Sequence, residues 1–280
     1  MKKLILTILF LLSGTMSFAS CDCLCVAPYD LTCGVSRFFS KITGQNFLVE
    51  KIAEHLIKKE VKKEFQQGKI KASLKSYSVR DLKAGRFKSV EISGKDLISD
   101  GAYITSFKAK TVCDFNYIEA KDDNIIIKEN VPVAFEAVIT EDDLNRAIES
   151  FQYKKLINDI NNYIGGLFVI EASAIRLRND KMYYVINYSG PFSKKKKEAV
   201  FSTNLYINNG QIDLGSVVLE NKSVTLDMNK YSKMLNYLNP LDFSFKIPEN
   251  KDAKLNIQYV KIEDKKIKTK GMVTLLKDKE

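Results

Sequence analysis

The chain has 280 residues, long enough to bury a large core, and its 45% hydrophobic and 28% charged composition with only 13 Gly and 5 Pro excludes a disordered, collagenous or low-complexity polymer. Lys and Arg number 44 against 34 Asp and Glu, a formal charge of +10. A single histidine, His55, excludes a His-rich metal centre and makes any His-based triad depend on one residue.

In chain order, the first element is a leader. Lys2 and Lys3, the apolar residues 4–12 interrupted only by Thr7, and Ser17-Phe18-Ala19 form the positive region, apolar region and small-x-small cleavage site of a secretory signal over 1–20. The apolar run falls short of the ~20 residues a spanning helix needs. Phe18-Ala19-Ser20-Cys21 resembles a bacterial lipobox with Phe18 where Leu is usual, so Cys21 is a lipidation candidate. Acylating it leaves Cys23, Cys25, Cys33 and Cys113, an even set for disulfides in an oxidising compartment. Lipoprotein and plain secreted forms both fit, and either places the protein in the periplasm or cell envelope. The Cys-x-Cys-x-Cys run lacks the paired Cys-x-x-Cys units of a zinc site, so residues 21–44 read as a disulfide-stapled arm.

Residues 45–280 read as one α+β domain. Val49, Ile52, Ala53, Leu56, Ile57, Val61 and Phe65 recur at spacings of three and four, which predicts an amphipathic helix over 47–65, ended by Gly68. The period then becomes two. Ile70, Ala72 and Leu74 mark a strand, Val90 and Ile92 another, and a long one runs from Tyr103 through Phe107 and Cys113 to Tyr117. Val131 to Ile139 alternates likewise, and Thr140-Glu-Asp-Asp143 opens a helix that should stop by Gly165-Gly166. Hairpin turns are expected at Asn179-Asp180 and Asn208-Asn209-Gly210, with one strand alternating from Ala199 to Ile207. A short helix over 231–238 and a closing strand pair across Glu263-Asp264 complete the pattern: a long, strongly curved antiparallel sheet with one or two helices laid against it.

Tyr77-Ser-Val-Arg-Asp-Leu-Lys-Ala-Gly-Arg-Phe-Lys-Ser-Val-Glu-Ile-Ser-Gly-Lys-Asp-Leu97 resembles the opening of the LmeA-like phospholipid-binding family, exported bacterial proteins. Gly85-Arg86-Phe87 leads there into a strand closed by Ile92-x-Gly94. Phe135 to Ile148 and Leu238-Asn-Pro-Leu241, followed by two closing strands, continue the resemblance over roughly 45–276. The resemblance implies a long helix in a curved sheet around an apolar tunnel, like tubular lipid-binding folds, with phospholipid or a similar acyl-chain lipid as ligand. The chain departs from the family in its lysine content and its cysteine arm.

Such a tunnel would draw on Ile52, Leu56 and Phe65 of the helix and on Phe107, Phe115, Phe135, Phe201 and Leu205 of the strands. The same residues serve equally as a closed core, and the sequence does not separate the two. Lys194, Lys195, Lys196 and Lys197 form the densest basic run and would dock an anionic membrane surface; Lys58-Lys59 with Lys62-Lys63, and the lysines of 265–270, are lesser clusters. A solvated face is the plain alternative, and no nucleic-acid recognition motif accompanies the charge.

Nothing in the sequence names an enzyme. There is no Gly-x-Ser-x-Gly elbow, phosphate-binding glycine loop, His-Glu-x-x-His or calcium loop, and the pairs Asp122-Asp123 and Asp142-Asp143 read as a turn and a helix start. No cofactor or metal is implied. The expectation is non-enzymatic lipid binding or transport at the cell envelope. The alternatives are a structural protein binding acidic envelope polymers, or an accessory subunit of an envelope glycolipid enzyme.

Overall fold

Period-two alternation carries most of the chain into antiparallel sheets, and the fold is α+β, with no sheet closing into a barrel among the described residues. The computed structural model describes residues 25–34, 37–38, 42, 45–99, 101–121, 124–164, 169–190, 193–221 and 253–278. The leader expected over 1–20, Cys21, Cys23, Asp122-Asp123, Gly165-Gly166 and the helix expected over 231–238 lie outside them.

Helix α1 (Gln45–Lys63) leads into β1 (Gln67–Ser76), the short helix α2 (Val79–Lys83), β2 (Arg86–Ser99) and β3 (Ala102–Thr111). The small pair β4 (Asn116–Lys121) and β5 (Asn124–Ile127), which the sequence reading missed, precedes β6 (Val131–Thr140). Helices α3 (Glu141–Ile148) and α4 (Phe151–Ile164) then separate these from β7 (Val169–Arg178), β8 (Lys181–Gly190) and β9 (Ser193–Thr203). The hairpin β10 (Leu205–Asn208)–β11 (Gln211–Leu214), β12 (Val218–Leu219), β13 (Ala253–Glu263) and β14 (Lys266–Leu275) follow.

Three expected elements are divided, each for a local reason. The alternation from Tyr103 to Tyr117 breaks after Thr111 because Cys113 is taken into a disulfide and Phe115 into an aromatic cluster. The run from Ala199 to Ile207 breaks at Asn204, whose carbonyl accepts from Gly215 N at 2.7 Å. The second helix opens on the expected capping box, Thr140 with Asp143, but ends at Ile148 and restarts at Phe151. Both expected hairpin turns are present, with positive φ at Asn179 and Asp180, and at Asn209 and Gly210.

Eight strands form the larger sheet, in the order β13-β14-β6-β3-β2-β4-β5 with β1 also paired to β2; a second sheet runs β12-β9-β8-β7. Register aligns Ala72, Ile92, Ala109, Phe135, Gly271 and Ile257 in one row across six strands of the larger sheet. The adjacent row is Lys71, Ser93, Lys108, Glu136, Lys270 and Tyr259. Because side chains alternate across the pleat, the first row faces a core and the second faces water. The wet face is thus lysine-rich, with Lys270 and Glu136 paired at 2.7 Å. A second core lies between the second sheet, helices α3 and α4 and the end of the larger sheet that supplies Ile139, Ile262 and Ile267; it is filled by Tyr153, Tyr184, Met182, Ile175 and Phe201, each at most 2% exposed.

The arm is stapled, but not through the expected even set of four cysteines. Cys25 and Cys113 form a disulfide spanning 88 residues of sequence, while Cys33 is free and exposed. Tyr29 packs on Phe115 at 5.2 Å, and Asp30 pairs with Arg86 at 2.6 Å. Asp81, fully buried, accepts from Thr32 N and Oγ1, both at 2.8 Å, and from Ser78 Oγ at 2.6 Å. Burial pushes the Asp81 carboxyl up, but these donors, with Arg86 nearby, more than reverse it and hold it below the usual carboxylate range. A depressed folded pKa stabilises above the unfolded value, near 4, and the benefit is lost as pH falls through the folded value. The acid limb of a urea-stability titration is therefore expected to be shallower for Asp81→Asn than for the wild type, because one proton-linked contribution is gone.

Candidate functional site

Helix α1 lies against the β1 end of the apolar face of the larger sheet. Val61 is its only fully buried residue. Two carboxylates attach it to the strand: Glu50 accepts from Ser76 N at 2.6 Å and Oγ at 2.7 Å, and Glu54 accepts from Leu74 N at 3.0 Å. Those amides belong to a strand with no further neighbour in its sheet, so the helix satisfies backbone donors that an edge would leave open.

Under α1, Val61, Ile70, Ile92 and Leu97 are buried, while Ile57, Phe65, Val90, Ile104 and Phe107 are only partly covered. Towards the other end of the same face, Phe135, Ile257 and their neighbours form a second cluster, with Ile207 and Ile212 of the β10–β11 hairpin packed against it. Phe107 belongs to both clusters, so the apolar floor is continuous beneath the helix and the hairpin. Between α1 and the sheet an apolar cavity of about 20 Å³ is lined by Val61, Phe65, Ile70, Ile92, Gly94, Leu97 and Phe107. No lining side chain titrates, so this place can hold hydrocarbon but cannot move a proton.

Gly94 keeps the gap open. A Cβ there would meet Leu97 Cδ1 at 2.6 Å and Cδ2 at 2.9 Å. Gly94→Ala is expected to push the Leu97 side chain into the gap and cost roughly 1–3 kcal/mol as overpacking. A urea melt and the methyl spectrum of Leu97 check it.

A family model described as LmeA-like phospholipid-binding matches residues 44–272. The chain belongs to the LmeA-like phospholipid-binding family. No curated protein and no solved structure matches it. The matched span contains α1, the whole of the larger sheet as far as Met272 and the cavity between them.

This LmeA-like chain brings together only some of the residues expected to line a tunnel. Phe65 and Phe107 share the cavity, and Phe135 lies with Phe107 in the neighbouring cluster. Phe201 is buried in the separate core of the second sheet, and Leu205 packs against that core. Phe115 sits beside the disulfide, in tilted and edge-on contact with Tyr29, Tyr77 and Tyr117. Ile52 and Leu56 correct the expectation: they are 62% and 51% exposed, because α1 turns Val61 and Ile57 to the sheet and these two away from it. Leu97 lines the cavity without being among the residues expected there. Asp96 has φ 53°, and no alternation rule anticipates that local reversal.

The charged residues fall apart from the cavity. Lys195, Lys196 and Lys197 are exposed near the start of β9, on the second sheet, and the Lys194 side chain lies outside the described residues. His55 is exposed on α1. Among the described residues no three His, Cys, Asp or Glu side chains are placed to hold a metal, and no helix is long and apolar enough to cross a membrane.

Proposed function

We propose that this LmeA-like protein binds one phospholipid with its acyl chains on the apolar floor of the larger sheet, and that α1 is the wall that yields to admit them. The observation that carries this is the continuous floor joined at Phe107, whose residues under the helix are only partly covered. The other core is filled around Tyr153, Tyr184 and Phe201, each at most 2% exposed. The gap of about 20 Å³ holds about one water. Ligand sites run to roughly 300–1,000 Å³, so α1 must move outwards on binding. Burial of acyl chains contributes about 0.8 kcal/mol per CH₂, enough to drive that displacement without any catalytic group.

The rest of the reading follows from the leader and the family. Export, residence in the periplasm or envelope, anchoring through Cys21, the tubular arrangement of helix and curved sheet, and the carrying of lipid between membranes are parts of the same proposal. The run Lys194, Lys195, Lys196 and Lys197 would add attraction to an anionic surface.

A second reading has its own support. The lysine row of the wet sheet face would bind an acidic envelope polymer without any lipid site. Native mass spectrometry with lipid extraction, on protein purified from an envelope-bearing host, separates the two. Stoichiometric phospholipid surviving gel filtration is the expected result. A ligand-free mass that takes up no added phospholipid contradicts the lipid reading and leaves the lysine face as the binding surface.

A further inference from the structure

The outward face of α1 carries exposed aliphatic side chains. Leu48, Ile52 and Leu56 are 64%, 62% and 51% exposed. Their spacing of four sets them in one line along the helix. Lys59 and Lys63 prolong that line, and Lys51, His55 and Lys62 flank it. Of the acidic groups of the helix, Glu50 and Glu54 bond the backbone of β1, and Glu54 also pairs with Lys51 and Glu60 with Lys63, each at 2.6 Å, so the rim's net positive charge comes from Lys59 and Lys62. An aliphatic line with a basic rim, on a helix whose other side is already packed, suits a helix lying in the plane of a membrane interface. Its aliphatic groups enter the acyl boundary while lysines snorkel to the headgroup phosphates.

We propose that this face of α1 docks flat on an anionic phospholipid bilayer. The proposal rests on the phospholipid reading above and names the surface through which it works. Because the same helix is the yielding wall, docking sets the apolar floor against the bilayer, where an acyl chain passes between the two without crossing water. Charge selects the occupant. A second copy of the chain would set one basic rim against another across a two-fold contact, whereas anionic headgroups complement it. The lysine row of the wet sheet face lies on the opposite side of the sheet from α1, so the two surfaces cannot share one bilayer.

The chain contains no Trp, so a single introduced indole reports only its own surroundings. Full-length Ile52→Trp, at an exposed site that tolerates the change, and Ser93→Trp, on the wet sheet face, are each mixed with vesicles. One set contains one-third phosphatidylglycerol in phosphatidylcholine, the other phosphatidylcholine alone. Emission from Ile52→Trp is expected to shift to the blue and to be quenched by brominated acyl chains with the anionic vesicles only, while Ser93→Trp stays unchanged. Adding Lys59→Gln or Lys62→Gln should weaken the response roughly fivefold each. A shift at Ser93→Trp alone, or at neither site, overturns the proposal. Blue emission without vesicles that grows with protein concentration overturns it in favour of self-association. Native mass spectrometry of the same samples keeps the two readings apart: bound phospholipid without a shift rejects docking alone, and a shift without bound phospholipid rejects the lipid site alone.

Discussion

Phe107→Asp is expected to strip the protein of co-purifying phospholipid, lowering its affinity at least a hundredfold. Phe107 joins the cluster under α1 to the one under the β10–β11 hairpin, so an acyl chain crossing the floor must lie against it. In the empty protein this residue is only partly buried, and a carboxylate there can turn to water. With a lipid in place it would be sealed against hydrocarbon, a loss of several kcal/mol for an unpaired charge. Phe107→Leu keeps the apolar surface and should bind within a fewfold of wild type. Lipid quantitation by mass spectrometry, beside a urea melt showing that both variants fold, reads the difference. Equal lipid in Phe107→Asp and wild type would remove Phe107 from the site.

The second large effect concerns stability alone. Cys25→Ser with Cys113→Ser should lower the free energy of unfolding by about 3–4 kcal/mol, since the bridge closes an 88-residue separation and constrains the unfolded chain. The loop it closes contains α1, β1, β2 and β3, so both the wall and much of the floor lie inside it. Tyr29 against Phe115 and Thr32 on Asp81 keep the arm attached without the bond, so folding at low temperature should survive. Denaturant unfolding of the double variant, with and without reductant for the wild type, measures the effect. A change below about 1 kcal/mol would mean that the arm's other contacts already hold the loop.

Much of the fold was legible because local chemistry and tertiary context agree. The strand of Val131 to Ile139, the capping box at Thr140, the turns at Asn179-Asp180 and Asn209-Gly210, and the closing hairpin each stand where periodicity and turn residues put them. The candidate site was legible in part. Phe107 meets Phe65 in the cavity and Phe135 in the neighbouring cluster, because alternation puts Phe107 and Phe135 on one side of the sheet. Strand order was not written in the sequence, and it sends Phe201 and Leu205 to a different core. Helix periodicity also misled at Ile52 and Leu56. A stripe of seven apolar residues is wide enough to cover two directions, and only packing reveals that Val61 faces inwards and Ile52 outwards. Cys113 and Phe115 continued an alternating run in sequence, yet the disulfide and the packed tyrosines pull them out of the strand.

Photo-crosslinking reads out whether acyl chains lie on the floor beneath α1. The protein is loaded with a phospholipid carrying a diazirine near the end of one acyl chain, irradiated and digested, and the adducts are located by mass spectrometry. Adducts should concentrate on the last turn of α1 around Val61, on Phe65 just beyond it, on Ile92 to Leu97 of β2 and on Ile104 to Ala109 of β3. Adducts confined to β8, β9 and α4, or spread without preference over the exposed surface, would contradict that placement.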